Sequence, residues 1–132
     1  MERTDQEFKT FEDLEVYQMA RKYRKKIYEL VKKLPPEEKY NLAIQMRKAS
    51  TSLTNNIAEG HGRYHFQENM HFCRHSRGSL EELIDDLNIC IDEEYFEYEY
   101  LEQLKQEGFH FLKRLNGFIK YLRNRKEESV LI

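Results

Sequence analysis

The sequence predicts an all-α protein, an antiparallel up-down-up-down four-helix bundle, on three observations. Five glycines and two adjacent prolines are the strong punctuation in 132 residues, whereas a sandwich or barrel needs turn signals roughly every 8 to 12 residues. Charged residues make up 35% of the chain and hydrophobic ones 39%; an average globular chain is about 25% charged, so this balance suits long helices with one apolar stripe and a wide solvated face. Apolar residues recur at steps of three and four through four segments, the spacing of a helix face. The length corresponds to one domain, residues 1–132, with enough chain to bury a core.

The first helix is expected at about residues 11–34. Thr10 and Asp13 have the spacing of a capping box, with the shorter Asp in place of Glu. Leu14, Tyr17, Ala20, Tyr23, Ile27, Leu30, Val31 and Leu34 form its stripe, and Pro35 and Pro36 end it. The second is expected at about 36–60. Pro36 suits a first turn, Glu37 and Glu38 complement the positive end of the helix dipole, and Leu42, Met46, Ala49, Leu53 and Ile57 make the stripe. Gly60 and Gly62 are expected to stop it. The third helix, about 66–92, carries Met70, Cys73, Leu80, Ile84, Leu87 and Ile91. The fourth, about 97–126, carries Leu101, Leu104, Gly108, Phe111, Leu115, Phe118 and Leu122 at alternating steps of three and four. Short connections make consecutive helices antiparallel neighbours.

Cys73 and Cys90 fall on one helix about 25 Å apart and cannot bridge within the chain. Free thiols with no apolar leader point to the cytoplasm, and no apolar run approaches the roughly 18 to 20 residues of a membrane span. A net charge of −2 argues against coating nucleic acid by overall charge. The charge is nevertheless uneven. Glu81, Glu82, Asp85, Asp86, Asp92, Glu93, Glu94, Glu97, Glu99 and Glu102 lie in a stretch without Lys or Arg, which predicts one acidic end. Arg21 to Lys33 on the first helix oppose it, and Arg63 with Lys120 to Lys126 predicts a basic opposite end. These charges read either as a solvated surface or as a surface for a polyanion or protein partner.

Enzymatic chemistry finds little support. Glu68 with His71 and Glu107 with His110 have the Glu-x-x-His spacing of di-iron bundles, yet in this topology the two pairs are offset by about 12 Å along the axis. Cys73 points about 200° around its helix from His71 and His75, so only that i,i+4 histidine pair could share a metal. The Ser50 to Thr54 hydroxyls have no histidine beside them, and no phosphate loop or nucleophile elbow occurs. No catalytic residue, cofactor or metal centre is therefore expected. Gln45, Ser52, Asn56 and Glu59 form a polar seam beside the apolar stripe of the second helix. Such a seam needs hydrogen-bond partners, which the segment Arg74 to Ser79 could supply if Gly78 allows close approach. An interlock between helices, a ligand site and an interface contact are the three readings.

The same residues carry a resemblance. LEVYQMA at Leu14 to Ala20, the Leu34-Pro35 break, QMRKASTSLTNNIAEGHGR at Gln45 to Arg63, and Phe72 followed by RGSLEEL at Arg77 to Leu83 resemble the four-helix-bundle family of 23S rRNA intervening sequence proteins, over about Phe11 to Arg123. The resemblance implies a non-enzymatic homo-oligomer, ring-like and pentameric. That family includes the Avd accessory proteins of diversity-generating retroelements, a branch that presents basic surface to RNA or DNA and binds a reverse transcriptase. This chain departs from that branch in being slightly acidic. The basic residues available for nucleic acid are Arg21, Lys22, Arg24, Lys25, Lys26, Arg63, Arg123, Arg125 and Lys126. The alternative is a structural or protein-interaction module without nucleic-acid binding, docking through Tyr95, Phe96, Tyr98 and Tyr100. Tyr28, Phe109 and Phe118 exceed what one narrow seam requires and predict a non-monomeric species.

Overall fold

The structure, a computed structural model, describes residues 10–131, with side chains from 10 to 129. Four helices account for nearly all of it: α1 (Glu15–Lys32), α2 (Leu42–His61), α3 (Phe66–Asp92) and α4 (Tyr98–Leu131). α1 packs on α2 and α4, and α3 packs on α2 and α4, so the helices run around the bundle in chain order, each antiparallel to the next. The α1/α2 face is consequently opposite the α3/α4 face. Among the described residues no helix is long and apolar enough to cross a membrane.

The capping box forms, but it closes a single 3-10 turn. The Thr10 hydroxyl accepts the Glu12 N–H and the Asp13 carboxylate accepts the Thr10 N–H, over Phe11–Asp13. The chain then extends at Leu14 (ψ 133°) before α1 starts, so the expected continuous first helix is two pieces. The extension swings the Leu14 side chain into the core, where it is 7% exposed. Pro36 likewise opens a 3-10 turn, Pro36–Glu38, and α2 begins only at Leu42. Glu38 bridges that gap, its Oε1 accepting the Leu42 N–H at 3.3 Å and the Asn41 side-chain amide at 3.2 Å. Its Oε2 accepts the hydroxyl of Tyr95, so one carboxylate ties the α1–α2 connection to the α3–α4 turn.

Gly62 caps α2 as expected, its N–H bonding the Ala58 and Glu59 carbonyls, but the other glycines act differently. Gly60 does not stop α2; it lies within the last turn, where a Cβ would stand 2.7 Å from Asn69 Oδ1 and 3.0 Å from the Asn69 carbonyl oxygen. Its missing side chain is what lets α2 and α3 converge. The left-handed conformation that leads into α3 is taken instead by Tyr64 (φ 64°). Gly78, expected to permit close approach, is exposed with nothing within 4 Å of its would-be Cβ. Gly108 has that role, since a Cβ there would meet the Tyr23 hydroxyl at 2.6 Å and Ile84 at 3.0 Å. The buried Tyr23 hydroxyl donates to the Leu104 carbonyl across the α1–α4 contact at 2.9 Å, and burial pushes its ionisation far up.

The expected stripes converge on one core containing Ala20, Ile27, Leu30, Met46, Leu53, Ile57, Leu80, Leu87, Leu101, Phe111 and Leu115. Phe118 and Ile91 pack only partly against it. Cys73 and Cys90 are free and fully buried, and burial pushes each thiol up to about 12, so both are inert core residues.

Candidate nucleic-acid interface

The basic residues of α1 are sorted by its core face. With Tyr23, Ile27 and Leu30 inward, helical spacing turns Arg21 and Lys25 to solvent, Arg24 and Tyr28 toward α2, and Lys22 and Lys26 toward α4. The contacts agree. Arg24 donates to the Thr54 hydroxyl of α2 at 2.8 Å, and the Tyr28 and Thr51 hydroxyls are 2.8 Å apart. The Arg47 guanidinium lies 4.7 Å above the Tyr28 ring. Lys26 pairs with Glu107 of α4 at 2.8 Å.

α2 contributes a surface free of carboxylates from Leu42 to Ala58. Its outer side is a shallow groove lined by Arg47, Lys48, Thr51, Ser52, Asn55 and Asn56. The outer surface of α1 and α2 therefore collects Arg21, Arg24, Lys25 and Arg47, with Lys48 across the α2 groove on its α3-ward side, beside hydroxyl and amide groups, and Arg24 and Arg47 are held in place by neighbours. Arg47 and Lys48 were not among the residues singled out from the sequence. The signal that finds them is the absence of any acid over more than four turns of α2.

The remaining sequence-predicted cations lie elsewhere. Arg63, in the α2–α3 turn, pairs with Glu59 at 2.8 Å and stacks 5.0 Å above Phe72. Arg125 lies 5.6 Å above Phe66, and Lys126 donates to Gln67 at 2.6 Å. Arg123 is exposed on α4. These four gather at the end of the bundle where α3 starts, Arg63 on α2's side of the turn and the other three on the last turns of α4. Nor are the two ends cleanly opposite in charge. Lys32 and Lys33 finish α1 at the same end as the acidic α3–α4 turn, because an antiparallel neighbour brings the C-terminus of α1 beside the start of α4.

The polar seam divides in two. Asn56 donates to the Ser52 hydroxyl at 2.7 Å, Ser79 of α3 donates to the same hydroxyl at 2.8 Å, and the buried Ser76 hydroxyl donates to the Leu53 carbonyl at 3.0 Å. The two bonds from Ser76 and Ser79 interlock α2 and α3, and the Asn56 bond holds the Ser52 hydroxyl in place. Gln45 bonds only Asn41, one turn back, at 3.1 Å, and Glu59 faces Arg63. Arg77 turns away to Asn116 of α4 at 2.9 Å. Asp86, seven residues after Ser79 and so on the same side of α3, went unremarked within the acidic stretch. It is 3% exposed and its Oδ2 has no hydrogen-bond partner among the described residues. Burial, and then the nearby carboxylates of Glu82 and Asp85, push it up to about 7.

Among the described residues no three His, Cys, Asp or Glu side chains converge as a metal centre. Glu107 is engaged by Lys26 and His110 is exposed, so the second Glu-x-x-His pair faces away from the bundle interior. A groove of about 770 Å3 opens between the start of α1 and the later turns of α4, floored by Leu14, Val16, Phe118 and Leu122. The Glu15–Arg114 ion pair, at 2.6 Å, crosses its rim.

Comparison with known proteins places this architecture. The family model described as 23S rRNA-intervening sequence protein matches residues 12–117. A crystal structure of a protein with unknown function from the S23 ribosomal protein family of Bacteroides thetaiotaomicron has a similar fold, with a TM-score of 0.73 and 23% sequence identity. The match covers 80% of this chain and 95% of that one. No curated protein matches.

Proposed function

Because the chain belongs to the family of 23S rRNA-intervening sequence proteins, we propose that it is a non-enzymatic, homo-oligomeric binding protein of the cytoplasm that grips RNA through its α1/α2 face. The observation that carries this reading is the convergence of Arg21, Arg24, Lys25, Arg47 and Lys48 beside an α2 surface without carboxylates. Cations on a rigid helical platform suit phosphates. The adjoining Thr51 and Asn55 suit sugar hydroxyls, the contact that separates RNA from DNA. Arg24 and Arg47 are pre-positioned by Thr54 and Tyr28, which lowers the entropy lost on binding. Assembly into a ring, as the homopentamer implied by the family resemblance, multiplies the face and with it the avidity. A reverse transcriptase, the partner implied for the accessory branch, would meet the same surface as part of an RNA complex.

The test is binding of fluorescently labelled RNA, followed by anisotropy at about 50 and 200 mM salt. Affinity is expected to fall steeply between the two. Arg21→Ala and Lys25→Ala, both at exposed positions, should each weaken binding and flatten the dependence of log K on log salt by about 0.7 for single-stranded RNA. Arg123→Ala, on the far face, should leave binding unchanged. Absence of binding at the lower salt, or equal loss in all three variants, refutes the assignment of this face.

One observation favours a second reading. Tyr98 is 57% exposed and Tyr100 37%, amid Glu97, Glu99 and the acids that end α3. A protein-interaction module would use this acidic aromatic edge to dock a basic protein surface, and would show no RNA binding at low salt.

A further inference from the structure

We propose that His71 and His75 form a chelating site for a divalent transition-metal ion, Zn2+ or Ni2+, on the outer surface of α3. The two residues are one helical turn apart and both exposed, and their Nε2 atoms stand 3.2 Å from each other. The ring planes are nearly perpendicular, at 83°, with centroids 4.6 Å apart. An ion about 2.0 to 2.1 Å from each nitrogen subtends an N–metal–N angle of about 100 to 106° across that separation, between octahedral and tetrahedral values.

As a metal-free contact, the pair must keep a proton on one Nε2 to hydrogen-bond the other. With an ion, both Nε2 lone pairs are used and both protons reside on Nδ1. The geometry is already restrained. His71 meets the Phe72 ring edge-on at 5.5 Å, and Phe72 is itself covered by the Arg63 guanidinium on α2's side of the turn. Glu68 lines the same surface depression as Arg63, His71 and Phe72. No third protein ligand joins the pair among the described residues. Water or a donor from another molecule fills the other positions, and the site binds more weakly than a structural centre with three or four protein ligands.

Calorimetric titration of the full chain, carrying no histidine tag, with Zn2+ chloride and with Ni2+ chloride tests the proposal. One ion per chain is expected. His71→Ala and His75→Ala should each weaken binding on the order of tenfold or more, because each leaves a single ligand. His65→Ala and His110→Ala should leave the titration unchanged. All four positions are exposed, and circular dichroism establishes that the variants stay helical. No binding by the unsubstituted chain, or equal binding after His71→Ala and His75→Ala, overturns the assignment.

Discussion

Replacing Asp86 by Asn should make the protein's stability less dependent on pH, and the size of the effect follows from its burial. The carboxyl is 3% exposed, its Oδ2 has no partner, and its pKa rises from 3.8 to about 7. Below about pH 4 the group is protonated in both folded and unfolded chains. Between about pH 4 and 7 the unfolded chain releases the proton while the folded one holds it, so each pH unit weakens the fold by about 1.4 kcal/mol. The contribution is thus complete at acid pH and lost as pH rises through 7, with about 4 kcal/mol as the upper bound for the full change. Relaxation of the surroundings around a buried carboxylate reduces that figure. Asn keeps the shape and cannot ionise. Its amide brings a desolvation cost of its own, which is the same at every pH and cancels when two pH values are compared. Urea unfolding of both proteins at pH 5 and pH 8 should show the stability of Asp86→Asn, relative to the unsubstituted chain, growing by on the order of 2 kcal/mol at the higher pH. A relative stability that stays constant between the two pH values would show that Asp86 ionises normally and that the seam admits water.

Gly108→Ala and Gly78→Ala should move stability in opposite directions. The first forces a methyl against the Tyr23 hydroxyl and Ile84 and should cost about 1 to 3 kcal/mol; the second meets only solvent and should gain about 0.5 to 1 kcal/mol, both read by thermal unfolding. Glu38→Gln should remove an acid-limb dependence. The Tyr95 hydroxyl first, then the Leu42 N–H and the Asn41 amide, hold the Glu38 carboxyl below its ordinary value of 4.5, so its contribution is present above that pH and lost as pH falls through the depressed value. A shallower loss of melting temperature below pH 5 or so in the variant is the expected result, and an unchanged acid limb contradicts it.

Several features are legible in the amino-acid order alone. The capping box, the stripes of α1 to α4 and the antiparallel order rest on local chemistry: a hydroxyl three residues from a carboxylate, apolar residues every third or fourth position, loops too short for a crossover. The Ser52–Asn56 half of the seam was legible too, because an i,i+4 pair on one helix is adjacent whatever else the chain does. The extension at Leu14 was not, since it depends on a core contact that no local spacing encodes.

The limit has one physical source. Periodicity states which residues share a side of a helix, but not how far that side stands from the next helix or what faces it. Gly60, Gly78 and Gly108 look alike in the chain; only packing distinguishes the two that would press a methyl into Asn69 or Tyr23 from the one that opens to water. The nine candidate cations form a single class by composition. The order of helices around the bundle separates Arg21, Arg24 and Lys25, joined by Arg47 and Lys48, from Arg123, Arg125 and Lys126 on α4, and leaves Arg63 at the α2–α3 turn. Helix type, number and direction were thus properties of the amino-acid order, decided by interactions within a few residues. The faces, the close contacts and the isolation of Asp86 belong to the assembled bundle, because they depend on groups brought together from distant parts of the chain.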